Sequence, residues 1–157
     1  MSYIITNNPH FKIGWQNQTG TTTISTQNIW YKPSLGVAAL SYADGFIIDA
    51  NKYILSGSSV GSSNYDLTIW ISGTLKADQT TTTTWQICMF KNGNTGTTYG
   101  SMNITTDQSN RAFNYSTNIY IENSVKNDFY EFYLRNTTNN SVNVITVDLN
   151  ILCLSHI

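Results

Sequence analysis

The chain predicts an all-β sandwich or barrel on three observations. Apolar residues recur with a period of two along most of its length, no window sustains a 3.6-residue apolar period, and Asn92-Gly93 closes one alternating segment with a tight-turn pair. At 157 residues the chain fits one domain, long enough to bury a core without disulfide staples.

The elements follow in order. Phe11 to Trp15 and Thr21 to Thr26 read as first strands, with a break at Lys32-Pro33-Ser34. The stretch 1–40 is otherwise irregular and reads as an arm plus first strands, ahead of a regular domain over 41–157. Phe46 to Ile48 and Tyr53 to Leu55 flank Asp49-Ala50-Asn51 as a short hairpin. In Leu67 to Leu75, Leu67, Ile69, Ile71 and Leu75 point toward the core, and Thr68, Trp70, Ser72 and Thr74 point away. The Thr80 to Thr84 run leads into the next strand, because β-branched threonine favours extended backbone. There Trp85, Ile87 and Met89 alternate with Gln86, Cys88 and Phe90 up to the Asn92-Gly93 turn, and a strand near 97–105 completes a hairpin. After a turn at Asp107 to Asn110, Phe113, Tyr115 and Ile119 to Ile121 mark a further strand. Asn127 to Asn136 carries bulk on both faces, so one face packs the core and the other is available to a partner. The last strand starts at Val142 and sets Val147, Leu149, Ile151 and Cys153 on one side.

Composition narrows the function. Charged residues make up 11% and the net charge is -1, which leaves no basic field for a nucleic-acid backbone or an acidic membrane surface. Neither is an expected partner. The first residues have no basic segment and no long apolar stretch, so the chain is expected to be made in a cytoplasm and kept there or packaged into a particle.

The order of Trp85-Gln-Ile-Cys-Met-Phe-Lys-Asn-Gly93, Asn127-Asp-Phe-Tyr-Glu-Phe-Tyr-Leu-Arg-Asn136 and Val142 to Leu154 resembles the C1q/TNF-like jelly rolls. The likeness covers roughly Tyr42 to Leu154 and is nearest to the versions in phage head-fibre, capsid-decoration and tail-fibre proteins. Asn127-Asp128 stands where that family usually has Gly-Asp, a departure that asparagine tolerates because it also adopts left-handed backbone. The resemblance implies a two-sheet antiparallel jelly roll that forms homotrimers and acts by display or adhesion, without catalysis. It implies a place on the virion surface of a bacteriophage or other virus. The partners it implies are copies of the chain and a major capsid or fibre-anchoring protein. The stretch 1–40 is expected to carry particle attachment.

Aromatic residues give an independent reason to expect self-association. Phe113, Tyr115, Tyr120, Phe129 and Tyr133, together with Trp70, exceed what one face of a two-layer core needs, so some are candidates for a trimer interface. Twisted sheets and covering loops could instead absorb them within one subunit.

Other motifs carry less. Gly57-Ser-Ser-Val-Gly61 matches a nucleophile elbow around Ser59, but a strand follows it where a helix is needed, and His10 and His156 lie at opposite ends. The carboxylates are scattered singly and predict neither a calcium loop nor a glycosidase pair. No catalytic residue, metal or cofactor is expected. Cys88 and Cys153 lie in predicted strands too far apart to chelate, and read as buried free thiols. Trp15, Trp30, Trp70 and Trp85 are candidates for stacking on sugars, with Trp85 assigned to the core. The alternative function is a receptor-binding tip module of a viral fibre, reaching a host-surface glycan through loops such as Ser56 to Asn64 and Thr137 to Ser141.

Overall fold

The computed structural model describes residues 9–49, 52–55, 64–78, 82–106, 111–138 and 142–156. Among them lie eleven strands: β1 (His10–Trp15), β2 (Thr21–Ile24), β3 (Ala39–Asp44), β4 (Phe46–Asp49), β5 (Lys52–Leu55), β6 (Tyr65–Ala77), β7 (Thr83–Lys91), β8 (Tyr99–Thr106), β9 (Ala112–Ser124), β10 (Phe129–Asn136) and β11 (Val142–His156). They form two antiparallel sheets. The first runs β3-β1-β11-β6-β9, with β2 also paired to β11, and the second runs β4-β5-β10-β7-β8.

Alternation decides the core. From β6, Leu67, Ile69, Ile71 and Leu75 are buried, and from β7, Trp85, Ile87 and Met89 are buried. They meet Phe11, Ile13 and Trp15 of β1, Tyr53 and Leu55 of β5, and Tyr130, Phe132 and Leu134 of β10 in one cluster between the sheets. The buried Trp85 indole donates to Thr106 Oγ1 at 2.9 Å, so the largest core ring carries no orphan donor.

Within the stretch 1–40, β1 sits inside the first sheet between β3 and β11 and its three large side chains are core. One expectation needs correction. In β11, Val142, Val144 and Thr146 face inward before an irregularity between Thr146 and Asp148, and Leu149, Ile151 and Cys153 face inward after it. An extra residue in one strand flips the alternation, which takes Val147 out of the buried set.

The sequence signature assembles into a clamp at one end of the sandwich. Asn92 and Gly93 both adopt positive φ, 56° and 68°, and Asn127 does so at 73°. Asn92 Nδ2 donates to Asp128 Oδ1 at 2.6 Å, and Asn92 Oδ1 accepts from the Phe129 amide at 2.9 Å. Asp128 Oδ2 accepts from the Val125 amide at 2.9 Å and pairs with Lys91 Nζ at 2.8 Å. Burial alone would raise the Asp128 pKa. The bonds from Asn92, Lys91 and Val125 outweigh it and hold the carboxyl below its usual range.

Candidate functional site: the two outer sheet faces

Each sheet has an inner face on the core and an outer face, and the outer faces differ. On the second sheet, Cys88 and Phe90 of β7 and Glu131 of β10 point outward yet are buried. The cover comes from the chain itself, a strap over residues 26–35. Tyr31 pairs with Leu134 beside β10, its amide donating to the Leu134 carbonyl at 2.8 Å and the Leu134 amide returning a bond at 3.0 Å. That pairing swings Trp30 over the sheet, where its ring meets Phe90 edge-on at 5.3 Å and Arg135 lies 4.3 Å from it. Lys32 Nζ reaches Glu131 Oε1 at 2.5 Å, and this bond raises the lysine pKa. Burial pushes the Cys88 thiol up to about 12.

No such strap lies on the first sheet among the described residues. The register places Lys12, Leu152, Trp70 and Asn118 in one outward row and His10, Leu154, Thr68 and Tyr120 in the next. Tyr42 pairs with Lys12 and shares that face. Trp70, Tyr42 and Tyr120 are 36%, 42% and 55% exposed, large values for aromatic rings on a regular sheet. The Tyr120 hydroxyl donates to Asp66 Oδ2 at 2.7 Å, which holds the ring on the face.

The candidates named from sequence therefore separate. Tyr120 and Trp70 lie on the open face of the first sheet. Phe113 is half-buried against the core, and Tyr115 is a core residue at 4% exposure. Tyr133 packs edge-on against Phe90 at 4.9 Å with Lys32 of the strap over its ring, and Phe129 carries Lys52 over its ring at 4.4 Å. The second face of β10 thus finds its partner in the same chain. Of the four tryptophans, Trp15 and Trp85 are core, Trp30 belongs to the strap, and Trp70 stands on the open face. Sequence reasoning missed Tyr42, Leu152 and Leu154, whose strands had to be aligned before they met Trp70.

Cys88 and Cys153 are free and buried, as expected. No group of three or more His, Cys, Asp or Glu side chains able to hold a metal occurs among the described residues. Ser59 and most of the Ser56 to Asn64 loop fall outside the described residues, as do 139–141 of the second loop and the 107–110 turn.

No family model and no curated protein matches the chain in sequence. Solved structures do match in fold. The PRD1 vertex protein P5, from a phage, aligns over 94% of this chain and 96% of its own, at 15% identity and a TM-score of 0.52. The fold is a C1q/TNF-like jelly roll. The globular domain of zebrafish complement 1qA aligns over 95% and 96% of the two chains, at 10% identity and a TM-score of 0.46. Eiger TNF from S. frugiperda aligns over 92% of each, at 11% identity and a TM-score of 0.43. At such identities the likeness speaks to the jelly roll alone.

Proposed function

We propose that this jelly roll is a virion surface protein, a homotrimeric decoration or head-fibre component of a bacteriophage or related capsid. In this reading the open face of the first sheet packs against copies of itself. The observation that carries it is the asymmetry of the outer faces: the chain covers the β7 and β10 part of one with its own strap, leaving Ile47 exposed in β4, and leaves the rings of Tyr42, Trp70 and Tyr120 partly exposed together on the other. Likeness to a phage vertex protein supports the virion setting, and the family resemblance supports three copies. The chain acts in this account by display, with no catalytic step.

Imaging particles made with and without the chain tests the proposal. The expected result is surface density that disappears with the chain and that Trp70→Glu also removes. Particles indistinguishable in the two preparations would sink it. Attachment through the first residues needs its own test, and deleting up to Ser34 is unsuitable because it removes β1 and β2. Deleting residues 1–8, ahead of β1, is expected to leave a trimer that no longer joins particles. Undiminished incorporation would remove that role from the segment.

A further inference from the structure

A second feature lies on the first sheet, beside the aromatic band. A shallow, open trough of about 490 Å³ lies where the β11 irregularity, the turn after β1 and Gly73 of β6 meet. This volume is within the ~300–1,000 Å³ range of small-ligand clefts. Gly73 helps to form it, because a Cβ there would stand 2.3 Å from the Asp148 carbonyl oxygen and 2.6 Å from the Tyr115 hydroxyl.

The lining is rich in neutral hydrogen-bonding groups. Ser72, Thr74, Asn114, Asn150 and Gln16 supply hydroxyls and amides, Asp148 supplies one carboxylate, and among the described residues neither Lys nor Arg contributes, with Lys12 in the adjoining hollow. Two internal bonds fix the recognition groups. Thr74 Oγ1 donates to Asn114 Oδ1 at 2.8 Å, which turns the Asn114 amide NH2 outward as a donor. The Asn17 amide donates to Asp148 Oδ1 at 3.1 Å, which leaves the other carboxylate oxygen as an acceptor. Tyr115 also contributes to the lining, but its hydroxyl is itself buried, 2.6 Å from where a Gly73 Cβ would stand, and lies out of a ligand's reach.

We infer that this trough is a binding site for a neutral saccharide. A carboxylate oxygen accepts from sugar hydroxyls, and a fixed amide donates to hydroxyl or ring oxygens. Asp148 in the lining disfavours sialylated, sulfated or phosphorylated ligands. The trough shares Ser72 and Asn150 with the hollow beside Trp70, so in the proposed trimer it lies at the rim of the self-association face. That placement rests on the assembly reading, whereas the recognition chemistry does not.

The test uses the full chain on a panel of neutral hexose and N-acetylhexosamine oligosaccharides beside sialylated and sulfated ones, followed by calorimetric titration of the tightest neutral ligand. Saturable binding of neutral ligands is expected. Ser72→Ala and Asn114→Ala, both on the surface, should weaken it about tenfold or more with no change in particle mass by light scattering. Lys52→Ala, on the other sheet, should leave it unchanged. Binding by Trp70→Glu chains would support the trough whether or not trimers form. Absence of any neutral binder, preference for anionic glycans, or full affinity in both trough variants would overturn the inference.

Discussion

The two sheets solve the same problem in opposite ways. Each is too apolar on its outer side to be left wholly to water, with Cys88, Phe90 and Tyr133 on one and Trp70, Tyr120, Leu152 and Leu154 on the other. The second sheet is closed from within, by a strap whose Trp30 and Lys32 seat on Phe90, Arg135, Tyr133 and Glu131. The first is left open, and in this account closure comes from other copies. Aromatic bulk therefore does not identify an interface by itself; what matters is whether the chain has already covered it.

Perturbing the strap should break the comparison most severely. Trp30→Ala removes a half-buried ring from Phe90 and is expected to cost ~2–3 kcal/mol, below the ~3–5 of a fully buried tryptophan, in urea unfolding. It should also uncover Cys88, bring its raised pKa down toward the ordinary thiol value and speed its reaction with a disulfide reagent. Cys153, in the core, should remain protected. Unchanged Cys88 reactivity would mean that the strap is not the cover.

The clamp comes next. Asp128→Asn should cost ~1.5–3 kcal/mol through lost charge-assisted bonds. The folded Asp128 pKa lies below the unfolded 3.8, so its contribution is fully present above the unfolded pKa and is lost as pH falls through the folded one. Acid titrations of wild type and variant should accordingly converge at low pH. Persistence of the full difference there would contradict the assignment.

Lys32→Met should have a smaller effect, about 1–2 kcal/mol. The ammonium is half-exposed, although the partner it abandons is buried. A double cycle with Glu131→Gln would measure the coupling. The smallest stability change is expected on the open face, where Trp70→Glu should lower monomer stability by about 1 kcal/mol while opposing association.

How much of this was legible before the structure depended on the range of the signal. Alternation within a strand is local, so the inward sets of β6 and β7 and the Asn92-Gly93 turn could be read directly. The phase of β11 could not, because the irregularity near Asp148 leaves no marked residue type. The strap was missed for a different reason. Lys32-Pro33 reads as a break, and only the Tyr31 pairing with Leu134, about a hundred residues away, turns it into a cover. The Lys-Asn-Gly and Asn-Asp segments were recognised as a signature, but that Asp128 is what Asn92 and Lys91 hold required the fold. The open face was half visible: Trp70 and Tyr120 stood out in sequence, while Tyr42, Leu152 and Leu154 joined them only through register.

The central claim is that the open face of the first sheet, and not the strapped face of the second, brings copies together. Light scattering on purified wild type and Trp70→Glu at micromolar concentration tests it directly. The account predicts three times the 17.6 kDa chain mass for wild type and a single chain mass for the variant. A monomeric wild type, or a trimer that Trp70→Glu leaves intact, would contradict it.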